Sequence, residues 1–141
     1  MEIKKICEDA IIPTRATVDS AGYDLYSTVT KTIKPKECIL INTGICMSID
    51  SGYVGLIYSR SGISVKHSII LANSVGVIDS DYRGEILVPL FNNGNSDYTV
   101  NAGDRIAQIV FTPIYTPPLV EVTELSKTVR ANNGFGSTGK N

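Results

Sequence analysis

Short β-type runs separated by turn residues constrain this chain more than any other feature of its sequence. Apolar, β-branched or aromatic runs occupy residues 38–41, 53–58, 69–71, 85–88, 98–100 and 106–111. Turn-forming triplets lie at residues 50–52, 92–94 and 101–103. No stretch keeps apolar residues at the spacing of an amphipathic helix across several turns. The pattern predicts an all-β sandwich or barrel of many short strands, with at most one brief helix near residues 61–67.

The chain changes character after residue 113. Its 141 residues suffice for one domain with a real core. The Thr-Pro-Pro sequence at 116–118 does not suit a central strand, because proline lacks the amide that a strand ladder needs. Residues 120–125 are apolar enough for one edge strand. We therefore expect a β-domain over residues 1–125 and a mobile, glycine-rich arm over residues 126–141.

Charge and composition exclude several function classes. With 13 Lys and Arg against 14 Asp and Glu, the net charge is −1, which argues against a strongly electrostatic nucleic-acid binder. No signal peptide or membrane-spanning run is evident, so we expect a soluble protein with no membrane partner. Cys7, Cys38 and Cys46 lack disulfide or metal-type spacing, and we expect them to be buried as small apolar residues. A reducing, cytoplasmic compartment is favoured, with a nuclear or viral-host compartment left open.

The C-terminal residues 130–139 carry groups suited to phosphate. Their sequence is Arg-Ala-Asn-Asn-Gly-Phe-Gly-Ser-Thr-Gly, and residues 134–140 nearly match a phosphate-binding loop. The helix that normally follows such a loop has no residues to form it, so we expect this tail to close onto another surface. Two hypotheses stay open: a disordered tail, or a lid in which Phe135 stacks on a base while Arg130, Ser137 and Thr138 bind phosphates.

Two carboxylates interrupt or follow strand-like runs. Asp79 directly follows the apolar run 75–78, a common place for a carboxylate that orients and deprotonates water. The alternative is a plain turn, because Asp81 and Gly84 suit positions i and i+3 of a type I turn. Asp24 breaks an apolar pattern, so it needs a partner or a metal unless it faces outward. Separated carboxylates without histidine suit Mg²⁺, which prefers oxygen and is often carried by phosphates.

Other polar residues near predicted strand ends are candidate ligand contacts. In the tripeptide Arg-Ser-Gly at 60–62, arginine suits phosphate through its planar fork and glycine allows close backbone approach. Arg105 and Gln108 are candidate polar contacts, and Asn73 lies in a tight turn where it is a candidate for a base edge. Each of these also fits a structural turn or solvated surface. His67, the single histidine, has no evident Ser or Cys partner and is interpreted as non-catalytic.

Five segments, in this order, closely resemble the motifs of the trimeric deoxyuridine triphosphate nucleotidohydrolases (dUTPases). They are residues 21–27 (AGYDLYS), 60–64 (RSGIS), 76–84 (GVIDSDYRG), 103–110 (GDRIAQIV) and 130–139 (RANNGFGSTG). The resemblance spans nearly the whole chain. Ordered motifs at compatible spacing are far more specific than any one of them, so the resemblance favours the functional hypotheses over the structural alternatives.

The resemblance implies a jelly-roll-like β-fold and a homotrimer. Each of three active sites is implied to be built from three subunits and closed by the C-terminal arm of one. The implied reaction is hydrolysis of dUTP to dUMP and pyrophosphate, by in-line attack of water on the α-phosphorus with Mg²⁺ as cofactor. Such an enzyme supplies dUMP for thymidylate synthesis and keeps uracil out of DNA. The implied partners are dUTP and other copies of the chain, without nucleic acid or membrane.

The motifs also imply roles for single residues. Asp79 is expected to hold the nucleophilic water and the sugar 3′-OH, and Tyr82 to pack under the deoxyribose and exclude a 2′-OH. Asp24 is expected near Mg²⁺, through a bound water, while Gln108 and Arg130 complete the implied catalytic set. The implied substrate-binding residues are Arg60, Ser61, Gly62, Asn73, Gly76, Val77, Ile78, Asp79, Tyr82, Leu87, Arg105, Gln108, Arg130, Phe135, Gly136, Ser137 and Thr138.

Within that set the resemblance implies a division of tasks. Arg60, Ser61 and Gln108 meet the α- and β-phosphates, and backbone groups around residues 73–78 recognise the uracil edge in a pocket that rejects the methyl group of thymine. In the arm, Phe135 stacks on the uracil, and the γ-phosphate is met by Arg130, Ser137 and Thr138. Positioning and charge neutralisation are what phosphoryl transfer mainly demands.

Three positions depart from the family pattern. Ala131 and Asn133 stand where glycine is usual, so we expect a stiffer arm or altered phosphate contacts. Ser59 stands where proline commonly precedes the Arg-Ser-Gly motif, so we expect looser phosphate contacts there. Two alternative functions remain: a dCTP deaminase or bifunctional deaminase of the same fold, and a nucleotide-responsive regulatory module. The segment 73–82 contains no Glu to serve a deaminase as acid and base.

Overall fold

The computed structural model describes residues 1–129, 131 and 132. Its described part is almost entirely β-structure. In chain order the elements are β1 (Glu2–Lys5), β2 (Tyr23–Tyr26), β3 (Lys31–Ile33), β4 (Cys38–Asn42), β5 (Ile45–Ser48), β6 (Tyr53–Ser59), α1 (Ser61–His67), β7 (Ile69–Leu71), β8 (Gly76–Ile78), β9 (Leu87–Asn92), β10 (Tyr98–Val100) and β11 (Arg105–Pro113).

Antiparallel pairing arranges these strands in open sheets. The larger sheet has the order β2-β11-β6-β8, and a smaller one has the order β4-β9-β7. Two-stranded ribbons, β1-β5 and β10-β3, complete the set. Across the described residues no sheet closes into a barrel, so of the two architectures predicted the sandwich is the one formed. The prediction of an all-β fold is confirmed.

One apolar core lies between the sheets. Leu25, Ile57 and Ile109 come from the four-stranded sheet, Ile41 and Leu90 come from the three-stranded sheet, and each side chain is at most 2% exposed. Alternation along the strands accounts for this, because successive side chains point to opposite faces of a sheet. Burial of such a side chain stabilises the fold by roughly 1.5–3 kcal/mol. The core therefore fixes the strand register on which the polar sites below depend.

Several sequence predictions match the structure closely. The brief helix near 61–67 is α1, and the predicted runs 38–41, 53–58, 69–71, 98–100 and 106–111 correspond to β4, β6, β7, β10 and β11. The run 85–88 lies two residues early, because β9 begins at Leu87. Glu85 instead lies before the strand with its carboxylate bonded to another loop. The apolar run therefore located the strand but not its first residue.

Three predictions were wrong. The turn after Asp79 has Tyr82 at its fourth position, through the bond from Tyr82 N–H to Asp79 O at 3.2 Å, rather than running from Asp81 to Gly84. Residues 120–125 form no strand, because no described strand pairs with them and their apolar side chains are exposed. The cysteines are not buried. Alternation in β5 turns Ile45 and Met47 inward and leaves the residue between them partly exposed.

No helix in the described part of the chain is long and apolar enough to cross a membrane.

Candidate active site

The first candidate pocket is a cleft of about 310 Å³ beside β2, β11 and the start of α1. We call it the Asp24 pocket. Six residues predicted from the sequence line it together: Asp24, Arg60, Ser61, Gly62, Arg105 and Gln108. Three separate sequence segments therefore meet in one cleft.

Strand order brings these segments together. β11 is hydrogen-bonded to β2 on one side and to β6 on the other. In that register Gln108 stands opposite Asp24 on β2 and opposite Tyr58 on β6. Arg60 follows the end of β6 and is the N-terminal cap of α1, in an extended conformation and without a side-chain cap bond. The central position of β11 thus places charged groups from its two neighbours at one end of the sheet.

Asp24 joins two arginines. Its Oδ1 accepts from Arg60 Nε at 2.9 Å, and its Oδ2 accepts from Arg105 Nη1 at 3.2 Å. The Asp24 side chain is only 13% exposed, whereas those of Arg60 and Arg105 are 24% and 47% exposed. Arg60 Nη1 also donates to the backbone oxygen of Arg105 at 3.1 Å. Of the alternatives that the sequence left open for Asp24, the structure shows charged partners. This pair holds two positive charges at fixed positions facing the cleft.

Gln108 is held at the back of the same pocket. Its Nε2 donates to the backbone oxygen of Ser59 at 3.2 Å. A Cβ atom on Gly22 would lie 2.6 Å from Gln108 Oε1, so only glycine fits at that position while Gln108 keeps its place. Gly22 and Ser59 were not selected as site residues from the sequence. The signals available were Gly22 within the first motif and the departure from the family pattern at Ser59.

A second pocket, of about 170 Å³, lies at the end of β8. We call it the Asp79 pocket. Its lining includes five predicted substrate-binding residues and one that the sequence analysis did not select: Val77, Ile78, Asp79, Tyr82 and Leu87, with Glu85. The Asp79 side chain is exposed, immediately after β8. A carboxylate in that position is accessible to water and to a ligand.

Tyr82 is held over a glycine. Its Oη donates to the backbone oxygen of Glu85 at 3.0 Å. A Cβ atom on Gly84 would meet Tyr82 Cζ at 2.6 Å, so the ring lies directly against the Gly84 backbone. Tyr82 remains 44% exposed. The ring therefore forms a supported, accessible wall of the Asp79 pocket.

Glu85 bears on the deaminase alternative, because a deaminase needs a glutamate as acid and base and Glu85 lines the Asp79 pocket. Its Oε1 accepts from Gly44 N–H at 2.8 Å and its Oε2 accepts from Asn42 Nδ2 at 3.1 Å. Both carboxylate oxygens thus hold the loop after β4. The Glu85 carboxylate therefore has a structural role in this loop.

The segment 73–78 approaches this pocket mainly through its backbone. β8 is the edge strand of the larger sheet, and no described strand pairs with its outer side. Gly76 is buried, with a Cβ position 3.1 Å from Ile57 Cβ, and neither it nor Asn73 lines the Asp79 pocket. Asn73 is exposed in the turn before β8. The unpaired backbone groups of β8 are consistent with recognition of a base edge.

The remaining candidates lie elsewhere. Arg130, Phe135, Gly136, Ser137 and Thr138 lie outside the described residues.

His67 lines neither pocket and packs against Tyr98, with ring centroids 5.0 Å apart, so the structure gives it a packing contact. Burial, with a contribution from the Asp104 carboxylate, raises the pKa of Tyr98 above its ordinary value. Its phenol therefore remains neutral beside α1 at physiological pH.

The described residues contain no cluster of three or more His, Cys, Asp or Glu placed to hold a metal. The Asp24 carboxylate is shared between two guanidinium groups. This donor set does not fit a metal bound by protein ligands alone. It does fit Mg²⁺ held through water beside a triphosphate, because Mg²⁺ usually keeps several waters and takes one or two carboxylates together with substrate phosphates.

Comparison with known proteins places this geometry in a family. The dUTPase family model matches residues 8–139. Deoxyuridine 5'-triphosphate nucleotidohydrolase of Nautilia profundicola is 46% identical over 140 residues, which cover 99% of both chains. The enzyme of the same name from swinepox virus is 49% identical over 135 residues, covering 96% of this chain and 94% of its own.

Solved structures agree with the sequence comparisons. The dUTPase of Staphylococcus bacteriophage 80alpha with dUpNHpp superimposes with a TM-score of 0.92 at 32% identity, covering 98% of this chain and 97% of that one. A mutant dUTPase from phage phi11 of S. aureus, described as coordinating a structural Mg(II) ion, has a TM-score of 0.82 at 32% identity, with 87% and 96% covered. The jelly-roll prediction is thereby confirmed, and the deaminase alternative is not favoured.

Proposed function

This chain belongs to the dUTPase family and hydrolyses dUTP to dUMP and pyrophosphate, and we propose that it divides this reaction between its two pockets. The Asp24 pocket binds and neutralises the phosphates. The Asp79 pocket holds the base, the sugar and the attacking water. The observation that carries this proposal is the pair of arginines fixed by Asp24, because a polyanion is bound best by charges that are already in place.

The proposed step is one in-line displacement. Water held by the Asp79 carboxylate attacks the α-phosphorus and passes a proton to that carboxylate. The new bond from water oxygen to phosphorus forms as the bond to the oxygen bridging the α- and β-phosphates breaks, and pyrophosphate leaves with that electron pair. Arg60, Arg105 and Gln108 meet the charge that develops on the phosphate oxygens.

Specificity for the deoxynucleotide has a steric basis in this proposal. The Tyr82 ring, supported by Gly84 and by its bond to Glu85, packs against the deoxyribose and leaves no space for a 2′-OH. Unpaired backbone groups along β8 recognise the uracil edge. A protein group built to hydrogen-bond one base rejects a base that leaves it unpaired.

Mg²⁺ is the proposed cofactor. Asp24 holds it through water, which is compatible with the two guanidinium bonds that the carboxylate already makes. When bound with substrate, the ion neutralises negative charge on the triphosphate. Support comes from the phage phi11 enzyme, for which a structural Mg(II) ion is described.

Two features of the single chain support a homotrimer with shared active sites. The Asp24 pocket and the Asp79 pocket share no lining residue. The segment after β11 also exposes large apolar side chains: Tyr115 is 88% exposed, Leu119 is 96% exposed and Leu125 is 87% exposed. Such a segment needs a covering surface. We propose that residues 126–141 form an arm that reaches from the β-domain, residues 1–125, to a site on another subunit.

The substrate proposal is tested by pyrophosphate release from dUTP, dTTP, dCTP and UTP, with and without Mg²⁺. We expect rapid release from dUTP alone, and a rate that depends on Mg²⁺. Rapid release from UTP would contradict the proposed role of Tyr82. Ammonia release from dCTP would restore the deaminase alternative.

The shared site is tested by mixing two inactive chains. Asp79→Asn retains the arm, and a chain lacking residues 130–141 retains Asp79. If the arm serves another subunit, refolding the two together produces trimers in which some sites contain both intact parts, and activity returns. If the arm closes the site of its own chain, the mixture stays as inactive as its components. Sedimentation of each variant checks that trimers form.

We propose that the protein is located in the cytoplasm. The three cysteines are free, which is compatible with a reducing compartment. Fluorescence microscopy of the tagged chain in its source cell tests this directly.

A further inference from the structure

The segment 79–86 joins β8 to β9 and carries the Tyr82 wall of the Asp79 pocket. The Tyr82 ring lies against the Gly84 backbone, where a Cβ atom would be 2.6 Å from Tyr82 Cζ. Glu85 follows directly and lines the same pocket. The position of the ring relative to a bound sugar therefore depends on where the backbone beneath it is held.

The Glu85 side chain attaches this backbone to the loop after β4. The ladder between β4 and β9 has Asn42 opposite Leu87 at its end, two residues after Glu85. Glu85 Oε1 accepts from the Gly44 backbone N–H at 2.8 Å, and Glu85 Oε2 accepts from Asn42 Nδ2 at 3.1 Å. Hydrogen bonds to an ionised acceptor are stronger than those between neutral groups. The carboxylate thus extends the connection between β4 and β9 toward Tyr82.

Ile86 is attached to the same loop by bonds that do not involve the Glu85 side chain. Its N–H donates to the backbone oxygen of Ile45 at 2.8 Å, and its carbonyl oxygen accepts from Thr43 Oγ1 at 2.7 Å. Both Ile86 and Thr43 are 1% exposed. We therefore expect loss of the carboxylate to loosen the backbone at residues 84 and 85 without releasing β9.

The loop 42–45 is a firm support for these bonds. Gly44 is buried with a φ of 66°, in the region that favours glycine. A Cβ atom there would lie 2.6 Å from Cys7 Sγ and 2.7 Å from Ala10 Cβ, so the loop packs directly against the chain before β2. Ile45 belongs to the apolar core. A group bonded to this loop is therefore fixed to the body of the β-domain.

We propose that Glu85 is a positioning residue for sugar selection. Its carboxylate holds the backbone on which the Tyr82 ring rests, and so sets the distance between that ring and the 2′ carbon of a bound nucleotide. Glu85 has this role only if Tyr82 packs against the deoxyribose, as proposed above. The whole link lies within one chain, so it is the same whichever subunits complete the site.

Competition between dUTP and UTP in one reaction of the assembled enzyme measures the ratio of their kcat/KM values. For Glu85→Ala we expect this ratio to fall about fivefold, less than the loss of about tenfold expected for Tyr82→Ala, because the ring is displaced and not removed. Both nucleotides carry the same triphosphate, so loss of the Glu85 charge by itself changes both rates alike. Circular dichroism and sedimentation establish that each variant is folded and assembled.

Asn42→Ala separates positioning from direct contact with the sugar. Asn42 lines neither pocket, so a change there removes no contact to a ligand in the Asp79 pocket. Because the Gly44 bond remains, we expect the ratio to fall only about twofold. Combined with Glu85→Ala it should cause no further loss, because the two changes break the same link.

Two further variants identify the cause. Glu85→Gln keeps an acceptor for the Gly44 N–H and a donor for the Asn42 side-chain oxygen, so we expect it to retain the ratio. Glu37→Ala is the matched control, because Glu37 also accepts a backbone N–H, that of Lys34 at 2.8 Å, and lines neither pocket. We expect Glu37→Ala to keep the ratio even where its melting temperature falls.

The positioning role would be overturned by an unchanged ratio in Glu85→Ala, by an equal fall in Glu37→Ala, or by Glu85→Gln failing to retain the ratio. An unchanged ratio in Asn42→Ala would also overturn it, because Glu85 would then act on the sugar directly. Failure of the proposed role of Tyr82 has a different signature, since Tyr82→Ala would then keep the full preference for dUTP. Loss of preference in Tyr82→Ala with none in Glu85→Ala would remove only the link to Glu85.

Discussion

The two pockets contain the same kind of group in opposite settings. Asp24 is 13% exposed and lies between two guanidinium groups, whereas Asp79 is exposed in a turn at the end of an edge strand. The Asp24 pocket draws on three segments of the chain, held by the central strand of the larger sheet. Among the described residues, those that line the Asp79 pocket all lie between positions 77 and 87. One carboxylate is committed to neighbours within the chain, and the other is left accessible.

This difference suggests how the work of a hydrolase is divided. Charges that are already fixed do not have to reorganise around a polyanion, as water molecules would. They are therefore best assembled before the substrate arrives. A water-binding carboxylate must remain reachable until the substrate is in place, and exclusion of bulk water then depends on closure. We therefore expect changes at the two carboxylates to have different consequences.

Replacement of Asp79 is the most severe expected change. Asp79→Asn removes the proton acceptor while preserving the shape of the side chain, and we expect kcat to fall about 10³-fold with little change in dUTP binding. Single-turnover pyrophosphate release and calorimetry measure the two effects. Asp81→Asn, in the same turn but outside the pocket, is the matched control and should retain its rate. A variant at Asp79 with normal turnover would contradict the assigned role.

Removal of residues 130–141 tests the need for closure. We expect a folded trimer with kcat/KM for dUTP lowered about 10²-fold, because groups that meet the γ-phosphate and exclude water are lost. Circular dichroism and sedimentation establish that the fold and the assembly survive. A fully active truncated enzyme would favour the disordered-tail hypothesis and would leave the Asp79 pocket without the closure that its exposure demands.

Replacement of Asp24 tests the fixed charges. Asp24→Asn weakens the hold on Arg60 and Arg105, and we expect about a tenfold loss of kcat/KM together with a weaker dependence on Mg²⁺. Titration of activity with MgCl₂ measures this shift. Asp50→Asn is the control, because Asp50 pairs with the N-terminal amine and lines neither pocket. An unchanged Mg²⁺ dependence would remove the argument for an ion near Asp24.

Changes at Tyr82 should have the smallest effect on dUTP itself. For Tyr82→Ala we expect the preference for dUTP over UTP to fall about tenfold, because space for a 2′-OH opens where the ring was. Tyr82→Phe keeps the ring and removes only the bond to Glu85, so it should keep the preference. Competition between the two nucleotides in one reaction measures the ratio. Equal loss in both variants would shift the explanation from the ring to the hydroxyl group.

Much of the fold could be predicted because its signals are local. The helix near 61–67 and the strands 69–71 and 98–100 were placed correctly from neighbouring residues. The edge strand at 120–125 was not formed, since a strand requires a partner that composition does not specify. The prediction that the cysteines are buried was wrong for a related reason. The side that a strand residue faces depends on register, and Cys46 lies on the outward side of β5.

The candidate site likewise has residues that the sequence predicted and residues that only the structure revealed. Motif resemblance selected most of the residues that line the two pockets. It missed the lining residues Ala16, Ser20, Ala21, Gly22 and Glu85, and the supporting residue Ser59. Ser59 and Glu85 hold neighbouring residues through hydrogen bonds, and Gly22 leaves space for the Gln108 side chain. Their roles become visible only when atoms within hydrogen-bond distance are known.

The sequence by itself determined that this chain is an all-β member of the dUTPase family, and it singled out Asp24 as a carboxylate that needs a partner or a metal unless it faces outward. It could do so because motifs, strand alternation and turn chemistry are local properties. Only the tertiary structure decided that the partners are Arg60 and Arg105, which lie 36 and 81 residues along the chain from Asp24. The same holds for the bond between Ser59 and Leu71 across the sandwich. Such pairs depend on strand order and register, which the packing of the whole core sets.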